Sequence, residues 1–122
     1  MREDIRSHRD LKVWQKSMDM TVQVYHLSER LPGSELYRLI AQMTRAAASV
    51  PANIAEGSAR ATARDYAHFL STAKGSLMET ETFLMLAVRL NYLRQEEASP
   101  TFELIIEISK MLTSLRNKLL EN

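Results

Sequence analysis

Apolar residues in this chain recur at three- and four-residue steps in four separate segments. That period admits helices and excludes strands, whose side chains alternate every second residue. Leu11, Trp14, Met18, Val22 and Tyr25 form the first stripe; Asp10 is placed to cap its start and Leu31-Pro-Gly33 to end it. Ser34 is placed to cap a second helix that begins at Glu35 and carries Leu36, Leu39, Ile40 and Met43 on one face. It runs to about Glu56, where Gly57 suits the left-handed residue beyond a helix end. Thr62-Ala-Arg-Asp65 has the layout of a capping box and opens a third helix, whose stripe from Tyr66 and Phe69 to Leu84, Ala87 and Leu90 carries it to Asn91 or Leu93. Ser99-Pro100 supplies a cap and a first helical residue for the fourth.

The chain has 122 residues, enough for one core, and its 3 Gly and 3 Pro are too few for a protein of many short strands. Short connections favour antiparallel neighbours, so the expected fold is all-α: an up-down-up-down four-helix bundle forming a single domain over 1–122, with residues 1–9 loose. Zero Cys removes disulfide scaffolds, thiolate zinc sites and Cys nucleophiles together. No apolar run approaches the ~20 residues of a membrane span, and the polar start Met1 to Arg6 is unlike a signal peptide. A cytoplasmic protein without membrane contact is expected.

The fourth helix has ten apolar residues among the twenty from Thr101 to Leu120, more than the three in seven that one inward face requires. The surplus points to a second buried face and hence to self-association; the alternative is a broad core face with a few exposed leucines.

Pro51 stands inside the second helical stretch. It has no amide hydrogen for the carbonyl of Ala47, and an interior proline costs about 3 kcal/mol or bends the helix. The expectation is a kinked helix, bent but not ended, with Asn53 or Ser49 satisfying the freed backbone groups. The small residues Ala46, Ala47, Ala48 and Ser49 then allow close contact with a flat surface at Gly75-Ser76. A carbonyl exposed for a ligand is the competing reading.

This same segment, Arg45-Ala-Ala-x-Ser-Val-Pro-x-Asn-Ile-Ala-Glu-Gly57, resembles the signature of the four-helix-bundle proteins encoded in intervening sequences of bacterial 23S ribosomal RNA genes, often labelled S23 ribosomal proteins. Leu11-x-Val-Trp-x-Lys-x-Met18, Leu36-Tyr37 with Gln42, Phe69-Leu-x-x-Ala-x-Gly-Ser-Leu-x-Glu-x-Glu81 and Leu90-x-Tyr-Leu93 extend the likeness over residues 11–93. The sequence departs from the family pattern at Thr44, where a second Arg is common, and at Ala59, commonly Gly. The resemblance implies an antiparallel bundle assembled as a ring-like homopentamer with no established enzymatic activity. A related branch, the accessory variability determinants of diversity-generating retroelements, works with a reverse transcriptase and binds nucleic acid.

The residues themselves offer little catalytic chemistry. Asp65-x-x-His68 is a single, short-armed version of the Glu-x-x-His pair that a di-iron bundle needs twice; His8 and His26 have no acid three residues before them, so no metal or other cofactor is expected. Glu79 and Glu81 point in different directions on one helix, and one of them is placed to pair with Arg45. Trp14 and the seven Met read as packing, and Tyr37, Tyr66 and Tyr92 as structural residues more than base-stacking ones. The net charge is only +1, yet residues 38–74 carry five bases against two acids. Arg38, Arg45, Arg60, Arg64 and Lys74 are therefore the candidate contacts for RNA or DNA. The leading expectation is a non-enzymatic homo-oligomer that binds nucleic acid weakly. The alternative is a protein-interaction scaffold, for example a partner of a reverse transcriptase.

Overall fold

In the computed structural model, which describes residues 7–121, four helices alternate in direction: α1 (Lys12–Ser28), α2 (Ala41–Ser58), α3 (Ala63–Arg89) and α4 (Gln95–Leu120). Each packs on its sequence neighbours, and α1 also packs on α4, which closes the square. Gln23 accepts from Thr101 at 2.7 Å while Lys16 meets Glu107 at 3.0 Å, so α1 and α4 run antiparallel. Among the described residues there is no strand. The expected four-helix bundle is what the chain forms, and no helix among those residues is long and apolar enough to cross a membrane.

The core is built from Met20 and Val24 of α1, Met43, Val50 and Ile54 of α2, Leu70, Leu77 and Leu84 of α3, and Ile105, Ile108 and Leu112 of α4. Fully burying one such side chain stabilises the fold by about 1.5–3 kcal/mol. On α1 the inward stripe is Val13, Ser17, Met20, Val24 and Ser28, not the predicted one. Leu11 and Trp14 are only half-buried, and Met18, Val22 and Tyr25 are exposed. Both stripes have helical spacing. Two serines lower the apparent hydrophobicity of the true one, but they are cheap to bury because Ser17 and Ser28 donate to the carbonyls of Trp14 and Tyr25 at 2.8 and 2.7 Å. On α4, Ile106 and Leu120 are exposed, and Phe102, Leu104, Met111, Leu115 and Leu119 pack partly against the core. Much of the exposed apolar surface therefore lies on α1, at Leu36 and Tyr37, on Met78, Met85 and Leu86 of α3, and at Leu90 just past its end.

Several helix ends differ from expectation. Ser7, not Asp10, accepts at the start of the first turn among the described residues, a short 3-10 segment at His8–Asp10, and α1 begins after it. Before α2 the backbone passes through a 3-10 turn (Gly33–Glu35) and a π turn (Leu36–Ile40). Here the buried Glu35 carboxylate, not Ser34, accepts the Leu39 N–H at 3.2 Å. Thr62 caps α3 as predicted, accepting from Asp65 at 3.1 Å. Its far end stops at Arg89, where Asn91 adopts φ 65°. The Tyr92 N–H returns to Ala87 O and the Asn91 N–H to Val88 O, both at 3.0 Å, which is the Schellman closure with Asn in the left-handed position. That tight turn lets α4 begin at Gln95, four residues before the predicted cap. Glu97 there accepts the Arg94 N–H at 2.8 Å, and Pro100 falls inside the helix.

Helix α2 continues without interruption through Pro51, and no extended loop opens at 49–54. The carbonyl that Pro51 leaves without a partner belongs to Ala47, which is fully buried. Neither Asn53 nor Ser49 reaches it: the Asn53 amide donates to Ser49 O and Oγ at 2.8 and 3.0 Å. Thr21 of α1 does, its single hydroxyl proton shared between Ser17 O at 2.8 Å and Ala47 O at 3.1 Å. Gly57 is not a left-handed helix terminator but a close-contact residue inside α2. A Cβ there would stand 2.8 Å from Phe69 Cβ and 3.0 Å from the Tyr66 ring. Gly75 has nothing near its Cα face; Ser76, its neighbour, touches α2 instead by donating to Ser49 Oγ at 3.0 Å.

Candidate nucleic-acid interface

The five predicted basic residues do not converge. Arg38 lies on the π turn at one end of the bundle, exposed, with Nε 3.7 Å from Glu35. Arg45 is exposed and donates to Gln42 at 3.4 Å; it shares a small cleft with Glu79, but forms no ion pair with Glu79 or Glu81 among the described residues. Its expected internal ion pair is absent because Ser49 and Ser76 meet between the helices and both charged groups stay in solvent. Arg60, just past α2, is held by Glu56 at 2.7 Å and lies 4.5 Å over the Phe69 ring. Arg64 is exposed in the first turn of α3. Lys74 is half-buried on the α3–α4 seam and donates to Thr113 at 2.6 Å. Arg38 and Arg60 are separated by the length of α2, roughly 30 Å.

A denser basic cluster lies where the start of α1 meets the second half of α4. Lys12, Lys110 and Lys118 surround a groove of about 400 Å³ floored by Leu11, Val13, Met111 and Leu115. All three lysines are exposed, and none has an acidic partner among the described residues. Lys110 and Lys118 are eight residues apart on one face of α4, a spacing visible in the sequence. Lys12 is brought to them only by the closure of α1 on α4.

This cluster is part of a larger polarity. The end formed by the start of α1, the α2–α3 junction and the finish of α4 carries Arg9, Lys12, Lys16, Arg60, Arg64, Lys74, Lys110, Arg116 and Lys118 against Asp10, Asp19, Glu56, Asp65 and Glu121, with Glu107 at mid-length paired to Lys16. The opposite end carries Glu29, Glu35, Glu79, Glu81, Glu96, Glu97 and Glu103 against Arg30, Arg38, Arg45, Arg89 and Arg94. Cations at that second end are partly neutralised, as where Arg30 pairs with Glu97. Segment-by-segment charge counting hides this division because every helix crosses from one end to the other.

The second end is also mechanically tied. The Tyr92 hydroxyl donates to Glu35 at 2.9 Å, joining the α3–α4 turn to the entry of α2. That bond, with the Leu39 N–H, holds the Glu35 carboxyl below its ordinary range despite burial, and Arg38 adds to the effect. The same bond, burial and the neighbouring negative charge push the Tyr92 phenol up. Burial alone raises Tyr66.

Among the described residues no three His, Asp or Glu gather as metal ligands would. His68 lies edge-on to Phe69 at 5.7 Å and His8 edge-on to Trp14 at 5.0 Å.

A family model described as 23S rRNA-intervening sequence protein matches residues 9–114. Among solved structures, the crystal structure of a protein of unknown function from the S23 ribosomal protein family of Bacteroides thetaiotaomicron is similar. It has a TM-score of 0.79 at 28% sequence identity, covering 85% of this chain and 97% of that one. No curated protein matches.

Proposed function

This chain belongs to the 23S rRNA-intervening sequence protein family, and from that premise we propose that it is a non-catalytic, self-associating bundle that binds RNA weakly through its basic end. The observation that carries this reading is the cluster of Lys12, Lys110 and Lys118, three exposed cations with no acidic partner among the described residues. Phosphates that displace counterions from such a cluster gain affinity without base contacts, so binding is tolerant of sequence and steep in salt. Arg64 and Arg116 extend the same end. Arg38 and Arg45 belong to the acidic end and contribute little.

Self-association is supported by Met18, Val22 and Tyr25, an exposed apolar stripe on α1 that a solitary bundle leaves in water. A ring of five, the number implied by the family resemblance, would repeat the basic end around its axis, so that modest contacts add through multivalency.

The test is fluorescence anisotropy of labelled structured and single-stranded RNA with the intact protein at about 50 and 200 mM salt. Binding at the lower salt that falls steeply at the higher, and is lost on Lys12→Gln with Lys110→Gln and Lys118→Gln, is the expected result. No binding at the lower salt would favour the scaffold reading, in which the α1 stripe receives another protein.

A further inference from the structure

A second groove, on the α3–α4 seam, has a different character from the lysine cluster. It encloses about 380 Å³, within the range of small-ligand sites. Its floor is apolar: Leu70 and Leu112 are almost fully buried and Met78 forms one wall. Gly75 leaves it open, since nothing lies within 4 Å of where its Cβ would be. Two cations bracket it, each held by a hydroxyl of the facing helix: Lys74 donates to Thr113 at 2.6 Å and Arg116 to Ser71 at 2.8 Å. Neither has a carboxylate partner among the described residues.

We propose that this groove binds an aliphatic carboxylate, with the acid group between Lys74 and Arg116 and the chain along Leu70, Met78 and Leu112. Two unpaired cations call for an anion, and the hydroxyls that orient them spare the ligand the cost of ordering two long side chains. An apolar floor calls for hydrocarbon, which a bare phosphate lacks. The lining holds no aromatic ring for a base to stack on, which disfavours a nucleotide. The groove lies apart from Lys12, Lys110 and Lys118, although Lys74 and Arg116 belong to the same basic end.

Octanoate is the probe, followed through the Met78 methyl resonance of the intact protein, with octanol, acetate and inorganic phosphate as controls. Octanoate should shift that resonance saturably, and each control should bind about tenfold or more weakly, as loss of a charge-assisted contact or of the chain requires. Arg116→Gln should weaken octanoate by a similar factor. Gly75→Leu fills the groove from an unobstructed position and should abolish octanoate binding while leaving every cation in place, so RNA binding stays unchanged and the two readings fail separately. Equal binding of octanol or of phosphate, no shift at millimolar octanoate, or full binding by Gly75→Leu would each overturn the proposal.

Discussion

The Thr21 hydroxyl of α1 lies 3.1 Å from the Ala47 carbonyl of α2, the one backbone acceptor that Pro51 deprives of its helical donor. A buried acceptor left unsatisfied costs about 1–3 kcal/mol, and one hydroxyl on a neighbouring helix, shared with Ser17 O, offsets part of that cost. Thr21→Val should destabilise the fold by about 1–2 kcal/mol. In a Pro51→Ala background the new amide can reach Ala47, and the same substitution should then cost less. A double-mutant cycle by urea denaturation measures this; a coupling below about 0.3 kcal/mol would disprove it.

Gly57→Ala tests the second close contact along α2. Alanine is normally better than glycine in a helix interior by about 1 kcal/mol. Here the added methyl meets Phe69 Cβ, which has little freedom to retreat, at 2.8 Å. Net destabilisation is therefore expected, about 1–3 kcal/mol from overpacking, seen as a lower midpoint in thermal melting.

Glu35 and Tyr92 should give the fold a pH dependence at both extremes. A carboxyl held low in the folded state adds stability above its ordinary range, and that stability is lost as pH falls through the folded value. A phenol held high adds stability below its ordinary range, lost as pH rises through the folded value. Melting temperature followed against pH should decline on both sides. Tyr92→Phe should reduce both declines: the acid one because it removes the largest cause of the Glu35 shift, the alkaline one only in part because Tyr66 is raised as well.

For self-association, Val22→Glu with Tyr25→Glu places charge on the exposed α1 stripe and leaves Met20 and Val24 untouched. Light scattering at micromolar concentration should show a wild-type mass several times the 14.0 kDa chain, and the variant close to one chain. A wild-type monomer would refute it.

How much of this was legible beforehand depended on whether a signal was local. The four helices were, because a 3.6-residue period needs no knowledge of partners, and so was the Thr62 cap, which acts within three residues. The facing of α1 was not: two stripes compete there, and the serines that identify the buried one are acceptable only because their hydroxyls bond back to their own helix. The start of α4 is hidden in the sequence because Ser99-Pro100 has a better capping composition than Arg94-x-x-Glu97, while the turn at Asn91 fixes the direction earlier. Gly57 resembled a terminator until Phe69 was opposite it. The basic cluster was the least visible, since Lys12 and Lys118 lie near opposite ends of the chain and count as separate charges until the bundle closes.

The division of charge between the two ends of the bundle also makes the molecule an electric dipole along its long axis. A polyanion nearby exerts a torque before any contact forms, turning the lysine-bearing end forward and the glutamate-bearing end away. Under the RNA-binding proposal, collisions would arrive already oriented, capture would be faster than the near-zero total charge implies, and dissolved ions would slow it by shortening the distance over which the torque acts.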